Sequence, residues 1–185
     1  FAIGINADNG RYKLSGENGA DFPKISVIEN ASSVHLPASI LSEAINKTLF
    51  AVSNDELRPA MTGVYCQLSP QHITFVATDA HKLARYRRKD TKSESVASFI
   101  LPKKALVLLK SSLPVEDVSV SVEYNNTSAF FRFGNINLIC RLIDERYPDY
   151  EAIIPQNNPN KLIIDRFLFL NCLKRVVIFA NKTTH

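Results

Sequence analysis

The sequence predicts an α+β fold in which one strand–helix–strands unit is used repeatedly, with two helices packed against antiparallel sheets. Three observations predict it. Short stretches such as Ile73–Thr78 and Val118–Tyr124 alternate with a period of two, as strands do. Longer stretches after Leu36-Pro37 and Leu101-Pro102 place apolar residues on one stripe of a 3.6-residue period, as amphipathic helices do. Finally, strand-to-helix junctions fall at Leu36, Leu101 and Asp165, steps of 65 and 64 residues, so one supersecondary unit recurs.

In chain order, residues 1–15 predict a hairpin around Asp8-Asn9-Gly10, because Asn and Gly accept positive φ in tight turns. The hairpin has no helix to cover it, so its packing partner is expected upstream. The polar run from Ser15 to Pro23 holds two glycines and reads as a connector. A new unit is expected from about Lys24, with a strand ending at Val34-His35-Leu36. Pro37 then stands where a first helical residue is tolerated without its N–H. Ile40, Leu41, Ala44, Ile45, Thr48, Leu49 and Val52 form the inner stripe of the first helix, and Ser42, Glu43, Asn46 and Lys47 its wet face. Asn54–Pro59 is a loop. Strands at Thr62–Leu68, Ile73–Thr78 and Leu83–Arg88 follow, and Lys89–Glu94 is a polar loop.

The second unit opens with a strand at Val96–Leu101. Its helix is expected to turn Ala105, Leu106, Leu108, Leu109 and Leu113 inward and Lys103, Lys104 and Lys110 outward. Strands at Val118–Tyr124, Ala129–Phe133 and Ile136–Ile143 come next, and Asp144–Pro155 is a loop. A third unit begins with a strand at Lys161–Ile164, an N-cap at Asp165 and a striped helix over Phe167–Ala180. Ile40, Leu41, Ala44 and Leu49 of the first helix recur 129 positions on as Phe169, Leu170, Leu173 and Ile178.

Composition narrows the function. Apolar residues make up 45% and charged residues 22% of the 185, enough for a packed core. No apolar run approaches the length of a membrane helix, and no signal peptide is visible. A cytoplasmic protein without a membrane partner is expected. Cys66, Cys140 and Cys172 are odd in number and far apart in apolar contexts, which suggests reduced core thiols. The net charge of +4 leans toward a polyanionic partner. If the wet helix faces share one surface, it carries Lys47, Lys103, Lys104, Lys110, Lys174 and Arg175. That is either an ordinary solvated face or a wall that meets phosphates without reading sequence.

The run from Ile73 to Arg88 holds the main candidate site: a strand, a polar corner at Asp79-Ala80-His81, and a basic strand with Lys82, Arg85, Arg87 and Arg88. Asp79 and His81 could support acid–base or metal chemistry. The four histidines, His35, His72, His81 and His185, have no companion acids at ligand spacing, however, and no phosphate loop or nucleophile elbow is present. No catalytic residue, metal or cofactor is therefore expected.

Several stretches together resemble one family. VATDAHKLA at Val76–Ala84, LPKKALVLL at Leu101–Leu109, RLIDERYPDYEAIIP at Arg141–Pro155 and the connector Gly19–Pro23 are similar, in order, to motifs of the bacterial DNA polymerase III beta subunit, the sliding clamp. The resemblance implies a DNA clamp fold divided as follows: the last hairpin and connector of a first domain at 1–23, a complete second domain at 24–157, and the opening strand and helix of a third at 158–185. It implies a non-catalytic homodimeric ring around double-stranded DNA, lined by helices, which acts as a processivity factor. It also implies a pocket for short peptide motifs of the replicative polymerase, the clamp loader and repair proteins. Carried over by position, that pocket comprises Met61, Thr78, Ala80, His81, Lys82, Leu83, Pro148 and Ile153. Ala80 stands where Gly is common and would restrict the corner, Lys82 where Arg is common, losing the planar fork, and Met61 where Leu is usual. The rest of the family's pocket belongs to the end of the third domain, so weak peptide binding is expected. A protein-interaction scaffold with no role on DNA is the alternative that the same repeat permits.

Overall fold

Ten strands and three α-helices form among the described residues, 1–22 and 30–181 of the computed structural model. The chain divides into two units, Phe1–Tyr147 and Pro148–His185. The start of the second predicted domain near Lys24 lies outside the described residues.

The first unit opens with the expected hairpin, β1 (Ala2–Ala7) and β2 (Gly10–Ser15). Its register sets Ile3 opposite Leu14 and Ile5 opposite Tyr12, so one face is apolar, and it is exposed. The first repeat then runs β3 (Ser32–Pro37), α1 (Ala38–Thr48), β4 (Gly63–Leu68), β5 (Ile73–Thr78) and β6 (Leu83–Arg88). The second runs β7 (Ala97–Pro102), α2 (Lys103–Ser112), β8 (Ser119–Tyr124), β9 (Ser128–Phe133) and β10 (Ile136–Arg141).

The two repeats exchange their first strands. One antiparallel sheet has the order β10-β9-β8-β3 and the other β6-β5-β4-β7. Each three-strand meander is thus completed by the opening strand of the other repeat. Both helices bury their stripes in a shared core, with Leu41 and Ile45 from α1 and Leu106 and Leu109 from α2 meeting Val64, Phe75, Leu101, Val120 and Phe131. At the seam between β4 and β7, a Cβ on Gly63 would stand 2.5 Å from the Leu101 carbonyl oxygen, so only glycine fits there.

Helix starts show how the loops of one repeat serve the other. Pro37 and Pro102 both sit at the N-cap, one position before the helix proper. The Ala38 N–H donates to the Val118 carbonyl at 2.8 Å and the Ser39 N–H to Asp117 Oδ1 at 3.1 Å, which satisfies two of the unpaired donors at the start of α1. Hydrogen bonding from Ser39 holds the Asp117 carboxyl below its ordinary range.

β5 is buried on both faces. The segment after β10 packs on the neighbouring strands β7 and β4 of the same sheet. The Ile143 N–H donates to the Ile100 carbonyl at 3.1 Å, and the Tyr147 ring stacks on Tyr65 with centroids 4.6 Å apart.

Other expectations are corrected. Leu108 is not inward but 56% exposed, because it lies about 200° around α2 from Leu106. Glu43 keeps its side chain 45% exposed on the wet face, yet its carboxylate accepts from the Tyr86 hydroxyl at 2.7 Å and from Arg88 Nη1 at 3.4 Å, tying α1 to β6. In the second unit, α3 (Arg166–Val176) forms with Asp165 as its N-cap, Oδ1 accepting the Leu168 N–H at 2.8 Å. No strand forms at Lys161–Ile164, since no described segment supplies a ladder partner. The apolar stripe of α3 is exposed, and so is Cys172, which was expected in a core. The described residues of the second unit offer nothing to bury that stripe against. Cys66 is buried and Cys140 partly so, and burial pushes both thiols up, Cys140 to about 11.

Candidate functional site

The β5–β6 register pairs Thr78 with Leu83, so the turn between them is the four residues Asp79–Lys82. Short-range chemistry fixes it. Thr78 Oγ1 donates to the Lys82 carbonyl at 2.8 Å and accepts the Ala80 N–H at 3.1 Å. Asp79 Oδ1 accepts the N–H groups of His81 at 3.1 Å and Lys82 at 2.9 Å. Its other oxygen is paired with the Lys82 ammonium. The lysine and these N–H donors, the lysine foremost, hold the Asp79 carboxyl well below the usual carboxylate range. Both oxygens are spent inside the corner, so Asp79 is a structural cap. Ala80 takes a φ of +74°, the left-handed region that favours glycine.

Of the residues singled out in the sequence, Thr78, Ala80, His81, Lys82 and Leu83 meet in this corner. Thr78 is buried, Leu83 partly so, and Ala80, His81 and Lys82 face solvent. Met61 lies in the single 3-10 turn Pro59–Thr62 before β4. Continuing the antiparallel register beyond the Tyr65–Val76 pair puts it at the same end of the sheet as the corner. Pro148 and Ile153 lie in the second unit, where both are exposed.

The lysines divide as well. Lys47 on α1 and Lys104 and Lys110 on α2 are exposed, and the two helices lie beside each other. Lys47 approaches Glu43 only to 4.0 Å. Lys103 is half-buried, its ammonium donating to Asn54 Oδ1 at 2.7 Å. Lys174 and Arg175 are exposed in the last turn of α3 in the second unit, Arg175 Nη2 standing 3.1 Å from Cys172 Sγ.

Sequence reasoning missed a groove of about 610 Å³ between the end of α1, residues 52–54, Arg58, the corner and the α2 lysines. A tightly bonded loop forms one wall. Ser53 N–H donates to the Met61 carbonyl at 2.9 Å, Asp55 N–H to Ser53 Oγ at 3.0 Å, and Arg58 Nε to Asp55 Oδ2 at 2.8 Å. The one sequence signal for it was the greater length of the α1-to-β4 connection relative to that between α2 and β8. No group of three His, Cys, Asp or Glu side chains among the described residues is placed to hold a metal ion. Among them, no helix is long and apolar enough to cross a membrane.

Comparison with known proteins agrees with this architecture. The family model described as DNA polymerase III beta subunit, central domain, matches residues 35–149. The beta sliding clamp of Staphylococcus epidermidis is 31% identical over 183 residues, covering 98% of this chain and 48% of the relative. That of Synechococcus elongatus is 28% identical over 185 residues, covering 98% and 49%. Among solved structures, the DNA polymerase sliding clamp of Bacillus subtilis superposes with a TM-score of 0.89 at 28% identity, over 98% of this chain and 48% of that one. The sliding clamp from Bartonella birtlesii, solved with griselimycin bound, gives 0.88 at 29% identity over 98% and 50%. The chain therefore spans about half the length of the curated relatives it matches. A repeat with exchanged strands, two adjacent helices over paired antiparallel sheets and a family match over residues 35–149 lead to one assignment: the chain belongs to the DNA polymerase III beta subunit family, the beta sliding clamps.

Proposed function

We propose that this chain is the middle part of a ring-shaped processivity factor, which encircles double-stranded DNA and tethers the replicative polymerase. The family is non-catalytic and acts in DNA replication. The observation that carries the reading is the pair of adjacent helices in a duplicated body, with Lys47, Lys104 and Lys110 exposed on them and Lys103 beside them. Cations on rigid helices meet phosphates without sequence preference, as sliding requires. Lys174 and Arg175 would extend the set from a third domain.

In this reading residues 1–23 close a first domain, 24–157 form the second and 158–185 open the third. The full-length protein forms a homodimeric ring in the cytoplasm. Partners, including the clamp loader and repair proteins, dock short motifs on Met61, Thr78, Ala80, His81, Lys82 and Leu83. Pro148 and Ile153 are assigned to the same pocket by family resemblance alone.

The test uses the full-length protein loaded on a nicked circular duplex. It is expected to survive a high-salt wash on the closed circle and to leave once the circle is cut. Loss from the intact circle at the same rate would instead favour a scaffold that does not surround DNA.

A further inference from the structure

The groove beside the corner has a composition that neither the corner nor the helix faces share. Four permanent cations line it, Arg58, Lys82, Lys103 and Lys110, against one carboxylate, Asp79. Two of the four are already neutralised within the fold, Arg58 by Asp55 and Lys82 by Asp79. Lys103 has only the neutral Asn54 oxygen, and Lys110 meets no carboxylate among the described residues. Between these charges the lining is mixed: Ile45, Leu49, Phe50 and Val52 form an apolar strip, and Asn46, Ser53 and Asn54 stand beside it. Phe50 is 65% exposed although its neighbour Ala51 is fully buried.

A volume of about 610 Å³ falls within the roughly 300–1,000 Å³ typical of sites that enclose a small ligand or a few side chains. A DNA duplex is far too broad to enter it. A single strand could set phosphates on the lysines, but the lining offers one phenyl ring where such sites stack successive bases. An extended peptide uses both parts of the surface, apolar side chains on the Leu49–Phe50–Val52 floor and carboxylates at the rim.

We propose that this groove docks an acidic peptide segment, with an aliphatic or aromatic side chain on the floor and carboxylates directed to Lys103 and Lys110. His81 and Lys82 line the groove and also belong to the corner, so the segment is the acidic flank of a motif docked there. The inference rests on the clamp reading only for the source of the peptide.

The test is fluorescence anisotropy with the 185-residue chain and four labelled probes. These are a peptide of alternating Asp and Leu, its Asn/Leu counterpart, a Gln- and Leu/Phe-containing peptide without acids, and an oligothymidine strand. The Asp peptide is expected to bind about fivefold or more tightly than the Asn peptide at low salt. That preference should vanish at high salt and in the Lys103→Glu/Lys110→Glu double variant, with Lys110→Glu alone reducing it if the double variant misfolds by circular dichroism. Equal affinity for the two peptides overturns the proposal, as does a preference that survives both charge reversals. Displacement of the Asp peptide by oligothymidine also overturns it and makes the groove a strand site. The acid-free peptide scores the corner separately: its binding, and its loss in Leu83→Asp, can fail or hold whatever the Asp peptide does.

Discussion

Ala80 shows how much one methyl can say. An alanine at a φ of +74° carries left-handed strain that glycine does not. Ala80→Gly is therefore expected to raise stability by about 0.5–1 kcal/mol, after allowance for the greater freedom of glycine in the unfolded chain, as read by urea denaturation. Asp79 makes a pH prediction. Its carboxyl is held below the ordinary value of 3.8 in the folded state, so its contribution is fully present above that value and is lost as the pH falls through the folded one. Asp79→Asn should be less stable than the parent chain at neutral pH, and the two denaturation midpoints should begin to converge below about pH 4 and go on converging as the pH falls toward the folded value. The corner was legible in the sequence because its bonds span at most four residues. The groove was not, because it needs partners such as Asn54 and Lys103, which lie 49 positions apart.

Elements were legible where periodicity alone decides burial. The α1 stripe buries Ile40, Leu41, Ala44, Ile45 and Thr48 as expected. In the shorter α2 two adjacent leucines compete for one stripe, and only geometry separates them: Leu109 is buried and Leu108 exposed. Leu109→Ala should cost about 2–5 kcal/mol, whereas Leu108→Ala should stay within about 0.5 kcal/mol, both measured by chemical denaturation. Comparable losses at the two positions would return Leu108 to the core. The strand expected at Lys161–Ile164 and the buried Cys172 failed for a related reason. A strand and a stripe are promises to a partner, and the described residues of the second unit contain none.

For the body formed by the two repeats, the repeat period was readable but the pairing was not. Nothing in the alternation of β3 or β7 says which meander it will join, and both sheets would satisfy the same pattern. The structure answers that β3 lies beside β8 and β7 beside β4. Between β6 and β7 the chain passes through exposed residues, Lys89 and Lys92 among them. A protease that nicks the backbone at Lys92 would sever the chain without freeing either half, because each half still has a finger laced into the other's hand. The two pieces should appear separately on a denaturing gel yet travel together through a sizing column. What looks like a seam in the primary chain is thus a clasp in the folded body, and a body so fastened can be cut once and still keep its grip.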